Sequence, residues 1–225
     1  MFGIHIENNV DFTILEKFNY IRETIIPAEL NIKLGTVGCK CKECSVSSSL
    51  CCPSIAAKKS NFAYRLIGDS KRLRLRNKQM LYECNENCDC DKDCLNRVTQ
   101  QPRTYPLTIF KTSNGRGWGV KAASAIPRGT FLMEYTGEII DQEESIRRGE
   151  KQDERGQQYM FDLDYTEDFE AVHTIDAANF GNLSRLINHN CEPNCFIWPV
   201  TTCNQDPSIY KLCYFTYQPI KAGKE

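Results

Sequence analysis

Cysteine poses the first chemical question. The stretch CKCKECSVSSSLCC, residues 39–52, spaces Cys39, Cys41, Cys44, Cys51 and Cys52 as C-x-C-x2-C-x6-CC, and Cys84, Cys88, Cys90 and Cys94 follow as C-x3-C-x-C-x3-C. Such spacings let one loop supply several thiolates to a tetrahedral zinc ion, at about 2.3 Å from each sulfur. Nine thiolates do not divide into fours. Three zincs accommodate them all if six cysteines are terminal and three bridge; two ordinary four-cysteine sites with one bystander are the alternative. Either shell is closed by sulfur, so the metal is structural and the reaction chemistry lies elsewhere.

Disulfides are the competing use of cysteine, and the sequence argues against them. The opening MFGIHIENNVDFTILEKF has no basic segment, apolar run or small-residue site of a secretory signal. No run of about 18 apolar residues occurs, so no membrane partner is expected and the chain reads as soluble and intracellular. Thiols stay reduced in that compartment, and an odd total of 13 cysteines suits pairing poorly. With 225 residues, 41% hydrophobic and 25% charged, the chain has room for one large domain or two small ones. A net charge of −1 excludes a protein that is basic overall and coats nucleic acid. One local exception is the insert between the cysteine blocks, where eight Lys or Arg fall between Lys58 and Lys78 against the single acid Asp69. It reads as a solvated loop or as a weak contact to DNA phosphates.

The elements that must position any site come after the cysteines. The organisation is an N-terminal lead-in over 1–38, extended and irregular, a cysteine module over 39–97 and a strand-rich region over 98–225. LTIFKT, WGVKAA, TFLMEYTGEII, QYMFDLD, VHTIDA, CFIWPVTT and IYKLCYFTYQPI are rich in β-branched and aromatic residues and separated by turn signals such as SNGRG and IPRG. A mostly β fold follows. One helix is expected at DQEESIRRGEK, with Asp141 as cap, Glu144 three residues on as in a capping box, and Gly149 near its end. From Asp162 to Asp176 there are six acids and no Lys or Arg, either a solvated loop or a surface for a basic peptide.

The two cysteine blocks, followed at once by NRVTQ, resemble the pre-SET module of the suppressor of variegation 3-9 family of histone-lysine methyltransferases. GRGWGV, EYTGEII, YMFDLD and NLSRLINHNCEPN resemble the SET domain's motifs in their family order. The resemblance implies a SET-domain fold of small curved sheets, one C-terminal segment threading a loop, preceded by a three-zinc pre-SET cluster. It implies methyl transfer from S-adenosylmethionine to lysine 9 of histone H3, in the pericentromeric heterochromatin of the nucleus. The histone H3 tail, the nucleosome and heterochromatin proteins are the partners it suggests, in gene silencing.

Transfer to lysine requires a neutral amine in line with the methyl group, and tyrosines in a narrow channel suit that task. By resemblance Tyr159 orients the amine and touches the cofactor, while its neighbour Phe161 is expected in the core. The resemblance gives Arg116, Gly117, Trp118 and Gly119 to the cofactor's amino-acid end, and Asn188 and His189 to the surroundings of its methyl group. Asn182 and Arg185 are expected to support that segment. Leu186 and Asn190 depart from the family's usual Phe and Ser. The family continues beyond the equivalent of Glu225 with a second tyrosine and three cysteines that bind a fourth zinc together with the match of Cys191. The chain is therefore expected to be an incomplete piece, with Cys191 a buried thiol and the faces of Leu212, Tyr214 and Phe215 poorly covered. A catalytically incomplete fragment, or a zinc scaffold of chromatin, is the alternative to an enzyme.

Overall fold

Side chains on a strand point alternately to its two faces, and in the segment Lys211–Thr216 those faces belong to different cores. Leu212 and Tyr214 pack with Leu107, Ile109, Ile139 and Ile175, whereas Cys213 and Phe215 pack with the clustered cysteines, Tyr64, Trp198 and Val200. Burying a side chain such as Phe215 or Ile175, each 1% exposed, contributes about 1.5–3 kcal/mol. The apolar faces of Leu212, Tyr214 and Phe215 are thus covered, correcting the expectation from sequence.

The computed structural model describes residues 4–30, 37–45, 51–53, 62–74, 79–154, 156–165, 173–202 and 208–225. In chain order these form β1 (His5–Glu7), β2 (Asn19–Tyr20), β3 (Tyr64–Ile67), β4 (Ser70–Leu73), β5 (Leu81–Tyr82), β6 (Leu107–Lys111) and β7 (Trp118–Ala122). Next come β8 (Phe131–Tyr135), β9 (Glu138–Asp141), helix α1 (Gln142–Glu154), β10 (Met160–Asp162), β11 (His173–Asp176) and β12 (Phe180–Gly181). A 3-10 turn, Leu183–Leu186, precedes β13 (Cys195–Thr201) and β14 (Lys211–Thr216).

The sheets are small: β1-β6-β7, β10-β11-β9, β12-β2, β3-β4, and the sheet β5-β13-β14-β8 that separates the two cores. The fold is mostly β, as the sequence implied. The lead-in is more ordered than expected. Its β1 pairs in parallel with β6, β2 pairs in parallel with β12, and Ile25 bridges to Glu138, so it contributes to three sheets. The Lys58–Lys78 insert includes the β3-β4 hairpin, while its residues 58–61 and 75–78 lie outside the described residues.

Asp141 caps α1 through Oδ1, which accepts from Glu144 N at 2.9 Å. The Glu144 carboxylate does not close a capping box. It takes the guanidinium groups of Arg147 and Arg148, which hold its pKa down at about 2. The helix continues past Gly149 to Glu154; before the glycine Arg148 is tied to Glu138 at 2.6 Å and to the buried Asp176 at 3.0 Å, and after it the buried Gln152 donates to Asp176 at 2.9 Å. Among the described residues no helix is long and apolar enough to cross a membrane.

Candidate active site and cysteine centre

The turn ahead of β7 owes its shape to glycine. Gly117 sits at φ +78°, in the left-handed region that a side chain disfavours, while its carbonyl accepts from Thr112 N and Oγ1 at 2.8 and 2.9 Å. The turn leaves Arg116, Gly117 and Trp118 lining a cleft of about 1190 Å³. A second segment reaches the cleft from the 3-10 turn. Asn182 caps that turn by accepting from Ser184 N at 2.7 Å, and its amide donates to Glu134 O in β8 at 2.8 Å. With all four side chains of the turn buried, the chain beyond it presents Asn188 and His189 to the same cleft.

The two segments meet closely. A Cβ on Gly119 would lie 3.0 Å from Asn188 Nδ2 and from Glu225 Oε1, so a side chain there would press on both. Asn188 Nδ2 donates to Trp118 O at 3.2 Å and to Glu225 Oε1 at 2.8 Å. The other Glu225 oxygen accepts from Arg116 Nη2 at 2.6 Å, and Arg116 Nη1 reaches His189 O at 3.2 Å. One carboxylate therefore joins both halves of the cleft, a role with no local signal in the sequence.

Tyr159 enters the cleft from the residue before β10. Its N–H donates to Gln152 Oε1 at 3.0 Å, and its carbonyl accepts from Ala177 N at 2.9 Å and the Tyr135 hydroxyl at 2.8 Å. Gln152 is itself held by buried Asp176, at 2.9 Å. Burial raises the Tyr135 and Tyr214 phenols well above the ordinary tyrosine value, so both stay neutral. Phe161 corrects the sequence expectation. It lies on a strand that is the outer one of its sheet among the described residues, is 37% exposed, lines the cleft and meets Tyr135 edge-on at 4.7 Å between centroids.

The cysteines form one buried group. Three sets have all their sulfurs within 4.8 Å of one another: Cys39, Cys44, Cys51 and Cys84; Cys39, Cys52, Cys84 and Cys88; and Cys44, Cys84, Cys90 and Cys94. Cys41 interacts with Cys39 and Cys44. Sulfur separations of 3.9, 3.8, 3.6 and 3.4 Å for Cys39–Cys44, Cys39–Cys84, Cys44–Cys84 and Cys52–Cys88 are far too long for disulfides. They match the edge of a zinc tetrathiolate tetrahedron, about 3.8 Å for bonds of about 2.3 Å. Around them, Cys39 N and Asn85 N each donate to Cys88 Sγ at 3.3 Å, and Asn96 Nδ2 to Cys84 Sγ at 3.3 Å. Donors of this kind orient metal-binding thiolates and stabilise their charge.

Cys191 stands apart and is exposed, not buried as expected, with its sulfur 3.8 Å from His189 Nε2. Burial pushes the Cys195 thiol up to about 11 and the Cys213 thiol well above its usual value, and Cys203 lies outside the described residues. A buried carboxylate absent from the sequence reading closes the second cysteine block: Glu83 accepts from Tyr64 OH, Val98 N, Thr99 N, Thr99 Oγ1 and Gln100 Nε2 at 2.7–2.9 Å.

A cysteine module packed on one face of a central sheet, with a glycine-turn cleft on the side of the other, defines a SET-domain protein with a pre-SET region. The comparisons agree: the SET domain profile matches residues 117–225 and the Pre-SET motif residues 1–97. Su(var)3-9 of Drosophila melanogaster, a histone-lysine N-methyltransferase, is 45% identical over 228 residues, covering 99% of this chain and 35% of its own. The Neurospora SET domain protein DIM-5, a histone lysine methyltransferase, superposes with a TM-score of 0.86 at 34% identity, over 100% of this chain and 94% of its own. KRYPTONITE, solved with mCHH DNA, an H3(1–15) peptide and SAH, gives a TM-score of 0.83 at 28% identity over 99% of this chain and 44% of its own. The chain belongs to the Su(var)3-9 family of SET-domain histone-lysine methyltransferases. It spans between 35% and 53% of the length of the curated relatives named Su(var)3-9 and SUV39H.

Proposed function

We propose that the chain is the catalytic region of a nuclear histone-lysine N-methyltransferase that acts on lysine 9 of the histone H3 tail in chromatin, including pericentromeric heterochromatin. The observation that carries this reading is the convergence of Arg116, Trp118, Tyr159, Asn188 and His189 on one cleft. S-adenosylmethionine, when bound there, supplies a methyl group activated on a sulfonium. The close approach of Gly119 to Asn188 and the charged Arg116 fit its amino-acid end.

This chain's residues have to receive lysine as a neutral amine, although at a pKa near 10.4 only about one in a few thousand is neutral at pH 7. Tyr214 lines the cleft as a buried, neutral phenol, and Glu225, a carboxylate of the lining, is neutralised by Arg116 at 2.6 Å. The cations of the lining, Arg116 and Arg185 among them, and the buried phenol of Tyr214 disfavour the ammonium form, and the Tyr159 hydroxyl orients what remains. The tail has a docking edge in β10, the outer strand of its sheet among the described residues, where an extended peptide adds as a further strand. Asp162 and Asp164 lie there to meet a basic tail, while residues 166–172 of the acidic stretch lie outside the described residues.

Three zinc ions would be held if Cys39, Cys44 and Cys84, which recur among the three sets, were shared, with Cys41 and Cys51, Cys52 and Cys88, and Cys90 and Cys94 completing the shells. The β3-β4 hairpin presents Arg65, Arg72 and Arg74 for a weak contact with nucleosomal DNA. Lys71 is spent inside, donating to Asp93 O at 2.6 Å and Cys94 O at 3.0 Å.

The test is transfer of a labelled methyl group to an H3 tail peptide, beside the same peptide with arginine in place of lysine 9. Label in the first peptide alone supports the reading. Cofactor binding without transfer to any histone peptide overturns it in favour of a zinc scaffold.

A further inference from the structure

We propose that Phe18, in the segment ahead of the cysteines, is a positioning residue for Tyr159 and acts through Arg185. The inference rests on the methyltransferase reading only in taking Tyr159 as the residue that meets substrate. The Arg185 guanidinium lies 4.5 Å from the Phe18 ring centroid and 3.8 Å from that of Tyr159. Arg185 is 8% exposed, and its Nε and Nη2 donate to Ala177 O at 2.8 Å and Ala178 O at 3.2 Å. Those in-plane bonds leave the faces of the cation to the two rings, where desolvation strengthens the attraction.

Each partner in this stack is fixed from behind. Phe18 is held on its C-terminal side by Asn19 N to Asn179 O at 2.8 Å and Ile21 N to Gly181 O at 2.9 Å. Gln157 Nε2, two residues before Tyr159, donates to Glu16 Oε2 at 3.0 Å, a second tie between the lead-in and the same loop. The two carbonyl acceptors hold the Arg185 head in place, and its stem passes close to the bare backbone of Gly181. The Tyr159 main chain is pinned by Gln152, Ala177 and Tyr135, so its ring is the part left to move, and the Arg185 face governs it. The lead-in is therefore a strap that sets the orientation of the candidate catalytic phenol.

The test compares Phe18→Ala, Phe18→Leu and Phe18→Trp with Phe12→Ala, a change in the same segment at a fully exposed ring. Methyl transfer to an H3 tail peptide is measured together with the 19F resonance of fluorotyrosine-labelled protein, assigned to Tyr159 by its disappearance in Tyr159→Phe. Phe18→Ala and Phe18→Leu should lower kcat about tenfold with the KM for S-adenosylmethionine changed less than about twofold, and should shift the Tyr159 signal. Phe18→Trp should restore both, and Phe12→Ala should change neither. If Phe18→Ala fails to fold, the Leu and Trp variants decide between an aromatic clamp and plain apolar filling. Parent-like kcat and 19F signal in Phe18→Leu would overturn the proposal. An inactive parent whose Tyr159 signal still follows Phe18 would instead sink the methyltransferase reading and leave the strap standing.

Discussion

Replacing Glu83 by Gln tests whether the cysteine module is closed by a charge or merely by shape. The residue is 0% exposed, and its Oε1 accepts from Tyr64 OH, Val98 N and Thr99 N while Oε2 accepts from Thr99 Oγ1 and Gln100 Nε2. It thereby joins the residue before Cys84 to the residues after Cys94. In Glu83→Gln the amide oxygen best takes the Oε1 position, where three bonds survive without charge assistance, at a loss of about 1 kcal/mol each. The amide nitrogen then faces the Gln100 donor, and a buried donor left unpaired costs about 1–3 kcal/mol. Burying a neutral amide in place of a carboxylate returns part of this, because ion desolvation is avoided. The net expectation is a loss of about 2–4 kcal/mol, a large share of a domain's usual stability of about 5–15 kcal/mol. Urea unfolding, followed by the fluorescence of buried Trp198 in a Trp118→Phe background, measures it. Free zinc must be buffered at one value, since metal binding shifts apparent stability by mass action. A Glu83→Gln protein within about 1 kcal/mol of its parent, or more stable, would show that desolvation outweighs the hydrogen bonds and refute the reasoning.

Other predictions follow from the same contacts. Cys84→Ser, which removes a sulfur shared by all three sets, should reduce bound zinc well below three per chain and abolish cooperative unfolding, whereas Cys41→Ser, at a terminal position, should lose about one zinc at most; plasma emission spectrometry after gel filtration distinguishes them. Glu225→Ala should weaken S-adenosylhomocysteine binding about tenfold by calorimetry, because Arg116 and Asn188 lose their common acceptor. Tyr159→Phe should retain cofactor affinity within about threefold while turnover on an H3 peptide falls at least a hundredfold; equal losses in both would make the hydroxyl a binding group. The Glu144 carboxylate, held down at about 2 by Arg147 and Arg148, should support the first turn of α1 at neutral pH and release it only as pH falls from the ordinary value toward 2, which carboxyl NMR titration follows.

What the sequence disclosed and what it concealed divide along the distance over which the chemistry is organised. Cysteine spacing is local, so Cys39 to Cys94 announced a metal centre before any fold was known. The strands β6, β7, β13 and β14 were legible because β-branched and aromatic runs between turns need no partner to be recognised. Phe161 was misplaced since its alternation signals a strand but not whether the outer face of that strand is covered, and β10 is an edge among the described residues. Glu225 and Phe18 were invisible for a stronger reason: each works through residues more than a hundred positions away, Arg116 in one case and Arg185 in the other.

Those long-range contacts also explain why a cysteine centre belongs beside the proposed methyl-transfer cleft. In β14, Cys213 and Phe215 sit against the cysteine core while Tyr214 between them lines the cleft, and β13 repeats the pattern with Trp198 on one side and Ile197 on the other. A sheet buried on both faces cannot shift one set of side chains without the other, because interiors are close-packed. Loss of zinc should therefore reach the cleft through β14, seen as a loosened Tyr214, before it reaches the Arg116 turn, which the cysteines do not touch. Equal loosening of both on chelation would mean that the module acts by holding the whole fold together, and not through this sheet.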